Sequence, residues 1–109
     1  MKRCGKVFYK GAFAGELGEQ EDGQFIFFYH SEYMLAPSAS PVSLTLPLQK
    51  DAYVAKELFP FFCGLLAEGV LKDLQCRQLK IDENDVFGRL LKTAGSEIIG
   101  AVTIEEIAS

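Results

Sequence analysis

The decisive stretch reads Pro41-Val42-Ser43-Leu44-Thr45-Leu46-Pro47-Leu48, and it is followed by a second apolar block, Phe61-Phe62-Cys63-Gly64-Leu65-Leu66-Ala67-Glu68-Gly69. The first block alternates apolar and hydroxyl side chains, which predicts a short strand from Val42 to Leu46. Because the flanking prolines cannot donate ladder hydrogen bonds, we expect this strand at a sheet edge. The second block is apolar on nearly every side. A helix of that kind is buried, either in its own core or against another protein.

Three strands are predicted ahead of these blocks, at residues 6–10, 12–17 and 24–29. Gly11 separates the first two, and Asp22-Gly23 is a strong turn signal before the third. We therefore expect an antiparallel meander. The third strand carries aromatic residues on both faces, which favours cover on both sides. A helical turn is expected near Tyr33-Met34-Leu35.

Three helices are predicted after the first block, at about 57–66, 68–79 and from 82 onward. Pro60 is tolerable only near the start of the first helix. The second helix places Val70, Leu71 and Leu74 on one face. Asp82 is the expected N-cap of the third helix, and Gly95 stands where a helix C-terminus favours glycine. The core stripe of this helix is Val86, Phe87, Leu90, Leu91 and Ala94.

A last strand is predicted at 98–104. The fold class is thus α+β: a small antiparallel sheet (meander plus edge and C-terminal strands) packed with about three helices. No repeat or linker interrupts the pattern, so residues 1–109 are expected to form a single domain.

The charge balance and the cysteines narrow the class of protein. The formal net charge is −4 and the basic residues are scattered, so direct nucleic-acid binding is not expected. Three cysteines form no Cys-x-x-Cys pair, and residues 1–5 do not resemble a signal peptide, which favours a reducing cytoplasm. The longest apolar run is too short to cross a membrane.

Candidate catalytic groups are few. His30 is the sole histidine and has no cysteine at metal-ligand spacing, so we expect it to be structural. The acidic run 82–85 lacks the oxygen ligand and the glycine that a calcium loop needs at its fifth and sixth positions. Cys63 lies among phenylalanines and leucines, which raises the pKa of a thiol. We therefore predict no enzyme activity, no cofactor and no metal.

Several blocks together resemble the N-terminal subdomain of the HipA family of bacterial toxin kinases, over about Val7 to Ile104. The blocks are Phe28-Tyr29 with Tyr33, Pro41 to Leu48, Phe61-Phe62 with Leu65 to Gly69, Asp82 to Leu91, and Gly100-Ala101-Val102. In full-length members this subdomain precedes a Ser/Thr kinase body that carries the ATP and magnesium residues, and none of that body is present here.

A chain with these limits is similar to the stand-alone HipS-like proteins of tripartite HipBST toxin–antitoxin systems, in which a short HipT kinase lacks the subdomain. The resemblance implies a cytoplasmic antitoxin that binds and neutralises a HipT-type Ser/Thr kinase toxin. It further implies a ternary complex with a HipB-like DNA-binding protein. Two alternatives stay open: an accessory subunit or excised N-terminal domain of a HipA-like kinase, and a small-molecule-binding domain, which would need a pocket with converging polar groups.

The turn between the first two helices is the expected kinase-binding site, at Leu66, Ala67, Glu68, Gly69, Val70 and Leu71. Relatives often read Leu-Pro-Glu-Gly-Trp there. This chain has Ala67 for the proline and Val70 for the tryptophan, so an aromatic plug is not available. The competing interpretation is that the leucines and Val70 pack the domain's own core, with Glu68 capping the second helix.

Overall fold

The computed structural model describes residues 2–66, 69–93 and 101–107, and for residues 69–71 and 75 it describes the backbone alone. This part of the chain contains five strands and four helices. Their bounds are β1 Arg3–Tyr9, β2 Ala12–Glu19, β3 Phe25–Tyr29, α1 Ser31–Leu35, β4 Tyr53–Ala55, α2 Pro60–Cys63, α3 Gly69–Leu79, α4 Val86–Thr93 and β5 Val102–Glu106.

The strands form one antiparallel sheet in the order β4-β3-β2-β1-β5. The predicted meander of the first three strands and the α+β class are therefore confirmed. Lys10 and Gly11, with φ of 50° and 84°, form the two-residue turn between β1 and β2. Positive φ at both positions is the geometry that matches the twist of a tight hairpin.

The core lies on one face of the sheet, which we call the inner face. Alternate residues of neighbouring strands point there, among them Val7, Leu17, Phe27 and Ile104, and each is at most 1% exposed. Helices α2 and α4 cover this face, and the Phe62 ring lies 5.4 Å from that of Phe27. Burial of this apolar surface is the main force that holds helices and sheet together.

The strand predicted from Val42 to Leu46 is wrong. These residues form a turn in which the Leu46 N–H donates to the Ser43 carbonyl at 3.1 Å. The edge strand is instead β4, ten residues further along, which pairs with β3. The alternation in the sequence is real, since Val42 and Leu46 are buried and Leu44 is 95% exposed. It arises because the 42–46 turn packs one side of its backbone against the core, although this segment pairs with no described strand.

Hydrogen bonds to tyrosine hydroxyls hold the backbone of residues 42–47 in place of pairing with a strand. The buried Tyr29 hydroxyl donates to the Leu46 carbonyl and accepts from the Val42 N–H at 3.0 Å. The Tyr53 hydroxyl donates to the Pro47 carbonyl at 2.5 Å. We call these contacts the tyrosine clamp. The two Tyr29 bonds satisfy buried backbone groups of Val42 and Leu46 that would otherwise lack a partner, whereas the Tyr53 bond lies at the surface.

The predicted helices are found, but the bounds of three of them differ from the prediction. The turn near Tyr33 is helix α1, as predicted. The first helix of the predicted three is much shorter than 57–66: α2 begins with Pro60 and ends at Cys63, after which residues 64–66 continue in tighter turns. The second helix begins at Gly69, and residues 67 and 68 lie outside the described part.

The third predicted helix begins one turn later than expected. Asp85 is its N-cap, because Asp85 Oδ1 accepts from the Gly88 N–H at 3.1 Å. Asp82 instead closes the preceding turn by accepting from the Asn84 N–H at 2.9 Å. The predicted stripe is buried at Phe87, Leu90 and Leu91, whereas Val86 is exposed. Ala94, Gly95 and residues 98–100 lie outside the described residues, and the final strand is Val102–Glu106.

Candidate protein-docking site

The six predicted kinase-binding residues lie where α2 passes into α3. Leu66 is half-buried and packs on the core beside Leu65. Ala67 and Glu68 lie outside the described residues. Gly69, Val70 and Leu71 form the first turn of α3, and only their backbone is described. The assignment of these residues to a kinase interface therefore stays a prediction.

Around this turn, described side chains face outward. We define the helical corner as α2, α3 and the turn between them. Cys63 is exposed there, and Leu74 and Leu79 on α3 are 48% and 50% exposed. The sequence places Leu74 on one helix face with Val70 and Leu71, and the exposure of Leu74 leaves an apolar side chain available to a partner. The next residues on the same surface, Asp73 and Arg77, are charged and exposed.

The end of α3 is held firmly. Lys80 has a φ of 54°, and the Ile81 N–H donates to the Cys76 carbonyl at 3.0 Å, the six-to-one bond of a Schellman motif. This motif usually has glycine at the Lys80 position, because a left-handed conformation strains other residues. The exposed leucines of α3 are thus presented on a helix with a fixed end.

A groove of about 450 Å³ lies between the helical corner and the start of α4. Its walls include Lys56, Glu57, Cys63 and Val86, so they mix both charges with apolar surface. The groove is open, and two further carboxylates on its wall, Glu19 and Asp85, are already paired with Arg3.

An ionic network fixes α4 beside this groove. Arg3 of β1 makes paired contacts with Asp85 at 2.8 and 3.0 Å and with Glu19 at 2.9 and 3.2 Å. The hydrogen bonds from Arg3 hold the pKa of Asp85 below its ordinary value, and the two carboxylates raise the pKa of Arg3. Because Asp85 also caps α4, the network joins the first strand to the helix. The sequence carries no local signal for this network, because the partners of Arg3 lie 16 and 82 positions away in the chain.

The sole histidine is engaged in local contacts. His30 Nε2 lies 3.0 Å from Glu16 Oε2, and its ring lies 4.3 Å from that of Phe13. Among residues 2–66, 69–93 and 101–107, no three His, Cys, Asp or Glu side chains stand close enough together to hold a metal ion.

Cys63 is not an activated nucleophile. Although the residue as a whole is exposed, its sulfur lies 3.7 Å from the Leu58 carbonyl oxygen. Partial burial of the sulfur raises the pKa of the thiol, which is the direction predicted from its apolar neighbours. A raised pKa lowers the thiolate fraction and with it the reactivity.

No helix in the described ranges is both long and apolar enough to cross a bilayer.

The fold and sequence match known proteins. The sequence model of the HipA N-terminal domain family matches residues 5–105 of this chain. A solved structure described as the N-terminal domain of HipA toxin is similar at a TM-score of 0.75 and 34% identity, covering 100% of this chain and 96% of the other. An uncharacterized protein of Haemophilus influenzae is 39% identical over 97% of this chain and 94% of its own length.

A longer relative is the putative kinase Y4mE of Sinorhizobium fredii, which is 26% identical over 90% of this chain. The match spans only 23% of that protein. The resemblance seen in the sequence is confirmed by the family model, which covers nearly the whole chain, and by the structural match. The chain therefore belongs to the HipA N-terminal domain family, whose members are related to toxin–antitoxin systems.

Proposed function

We propose that this chain is a non-catalytic antitoxin subunit that binds a HipT-type Ser/Thr kinase toxin and neutralises it by protein–protein contact. The observation that carries the proposal is the match to a putative kinase over only 23% of that protein's length. In such a relative the domain shares a chain with a much larger body. A domain that fits beside that body retains a contact surface when it is a separate chain.

The helical corner is the proposed place of contact. Its exposed leucines, Leu74 and Leu79, supply apolar anchor area next to the predicted residues 66–71. Two separate chains lose translational and rotational freedom on binding, which a fused domain does not. A few well-buried anchors must therefore supply most of the affinity. Since Val70 stands where relatives often have tryptophan, the proposed inhibition relies on a broad docked surface.

An accessory subunit that stabilises or activates its kinase would use the same docking surface, and only the effect on catalysis separates the two functions. A HipB-like DNA-binding protein is the proposed third component of the complex. The acidic balance of this chain, −4 at neutral pH, supports operator contact through that component.

The test is co-purification with a HipT-type kinase from the same genome, with phosphorylation assayed with and without this chain. We expect a stable complex, suppressed phosphorylation and rescue of growth during kinase expression. A complex with unchanged or raised phosphorylation would make this chain an accessory subunit. Absence of any complex would refute the proposal.

Variants locate the contact. Leu71→Asp and Val70→Asp test the predicted anchors directly, and Leu74→Gln tests an exposed position while keeping a good helix former. We expect each to weaken kinase binding at least tenfold. Leu44→Gln is the matched control, because Leu44 is a leucine that is 95% exposed on the 42–46 turn, outside the helical corner. Thermal melting of each variant distinguishes a lost contact from a lost fold.

A further inference from the structure

One wall of the groove beside the helical corner is a short segment without a buried side chain. We call residues 82–86 the groove wall, since Asn84, Asp85 and Val86 line the groove there. None of residues 82–86 is buried, and Val86 is 37% exposed. Burial of apolar side chains is the main force that holds elements on the core. A segment that lacks such burial needs another tether.

That tether is Arg3 on β1. All three of its guanidinium nitrogens are engaged: Nε and Nη2 donate to Glu19, and Nη1 and Nη2 donate to Asp85. The guanidinium also lies 5.4 Å from the centre of the Phe87 ring. Among the residues that the structure describes, the hydrogen bonds between the groove wall and the sheet all run from Arg3 to Asp85. Paired contacts of this planar kind are stronger than single ones.

Gly88 leaves the room in which Arg3 and Asp85 meet. A Cβ at this position would stand 2.3 Å from Asp85 Oδ2 and 3.0 Å from Arg3 Nη1. Glycine is a poor residue inside a helix, and Gly88 does not have the positive φ that would call for it. The Gly88 N–H also donates to Asp85 Oδ1 at 3.1 Å. The close approach of the two charged side chains therefore explains the glycine.

The closed groove covers its own apolar lining. Leu58 and Phe87 belong to that lining, yet they are 8% and 1% exposed. Phe25 lines the groove as well, and its ring lies edge-on to that of Phe87 at 5.5 Å. Movement of the groove wall away from the sheet would uncover these side chains. A pocket that belongs to a minor conformation in this way is a cryptic pocket.

We infer that Arg3, Glu19, Asp85 and Gly88 form an ionic latch that keeps the groove wall closed over this lining, and that release of the latch opens the groove. The side chains of Arg3, Glu19 and Asp85 are 32%, 14% and 37% exposed. Because the latch is only partly buried, dissolved salt screens its charges and weakens it. This device does not depend on the proposed function.

Hydrogen exchange followed by NMR tests the latch in the full chain, because it reports local opening amide by amide. The reporting amides are those of Asp85 and Gly88, which are bonded to Asp82 and Asp85 in the closed wall. Leu17, in the central strand of the sheet, reports the change in overall stability. In Arg3→Gln we expect the acceleration at Asp85 and Gly88 to exceed that at Leu17 at least tenfold.

Lys6→Gln is the matched control for charge. It removes one positive charge from an exposed position of the same strand, outside the latch. All three amides should stay within twofold of wild type in this variant. Gly88→Ala breaks the latch by a different route, since the new Cβ displaces the Asp85 carboxylate while alanine favours the helix. We expect the Asp85 amide to exchange faster in Gly88→Ala too.

Alkylation of Cys63 by iodoacetamide at constant pH reports whether the groove itself opens, because Cys63 lines it. The rate is read by mass spectrometry of the Cys63 peptide, with Cys76 of α3 as the internal reference. Relative to Cys76, we expect Cys63 to react at least threefold faster in Arg3→Gln. Wild type at about 1 M salt should show the same increase, whereas salt should add little in Arg3→Gln.

Equal acceleration at Asp85, Gly88 and Leu17 would show that Arg3 contributes only to overall stability and would overturn the inference. Faster exchange of the wall amides without faster alkylation of Cys63 would overturn it as well, because the wall would then move while the groove stays closed. Unchanged exchange in both Arg3→Gln and Gly88→Ala would do the same. If one variant fails to fold, the other variant and the salt dependence of wild type decide.

Discussion

Replacing Tyr29 by phenylalanine tests the tyrosine clamp, which holds the 41–47 segment over the core. Tyr29 is 4% exposed, and its hydroxyl accepts a hydrogen bond from the buried Val42 N–H and donates one to the buried Leu46 carbonyl. Phenylalanine keeps the ring and its contacts, including the parallel stack on Tyr33 at 6.2 Å. The substitution therefore removes the hydrogen bonds with little change in packing.

The magnitude follows from the groups left without a partner. A buried backbone group that loses its hydrogen bond costs about 1–3 kcal/mol, so two such groups predict a loss of roughly 2–6 kcal/mol. Against a total stability of about 5–15 kcal/mol this is a large fraction. For a domain of this size it corresponds to a fall of roughly 10–25 °C in Tm.

The assay is urea denaturation of wild type, Tyr29→Phe and the control Tyr9→Phe. Tyr9 lies on the same sheet but is only half-buried, so water can replace contacts of its hydroxyl. We expect the control to change the free energy of unfolding by less than about 0.5 kcal/mol. If Tyr29→Phe changed it no more than the control does, the clamp would not be what holds the segment.

Alkaline pH gives a second readout of the same hydroxyl. Burial raises the pKa of Tyr29 to about 12 from an ordinary value near 10. Between those values the unfolded state releases the proton more readily than the folded state. Wild-type stability should therefore fall as pH rises from about 10 to about 12, and this part of the fall should be absent in Tyr29→Phe.

Three further predictions concern the frame around the site. Asp85→Asn keeps a capping side chain but loses the ion pair with Arg3, so the free energy of unfolding should fall by roughly 1 kcal/mol at pH 7. Because the pKa of Asp85 is lowered in the folded state, the stability of the wild type falls as the pH drops below about 4. Acid titration of the variant should show a shallower decline. Lys80→Gly should raise stability by roughly 0.5–1 kcal/mol by relieving the positive φ, whereas Lys80→Ala, measured in the same melts, should not. Gly15→Ala should prevent stable folding, because a Cβ there would stand 2.1 Å from the Phe28 carbonyl oxygen; a soluble variant with native circular dichroism would contradict this.

The sequence predicted the local elements well where one physical signal dominated. Gly11 and Asp22-Gly23 marked the two turns of the meander because glycine tolerates the positive φ that such turns require. The stripe of α4 identified Phe87, Leu90 and Leu91 as core residues, since helical periodicity places them on one side. The family blocks, spread over nearly the whole chain, were also readable from the sequence.

The strand predicted at 42–46 failed because alternation of burial does not specify a hydrogen-bond partner. Val42 and Leu46 are buried as their pattern predicted, but their backbone groups bond to the Tyr29 hydroxyl, which lies more than ten residues earlier in the chain. A distant side chain of this kind leaves no local signal. The helix expected at 57–66 was overestimated for a related reason: the apolar residues after Cys63 pack on the core in tighter turns.

What the sequence by itself determined is the α+β class, the order of the elements and the family. Tertiary structure alone decided how distant segments combine: Arg3 bridges Glu19 and Asp85, and Phe8 and Phe28 lie on the same side of the sheet, opposite the core. The physical reason is the separation along the chain of the residues that interact. Turns and helices follow from the conformational preferences of neighbouring residues, whereas ion pairs, sheet faces and docking surfaces depend on strand register and on packing between residues far apart in the chain.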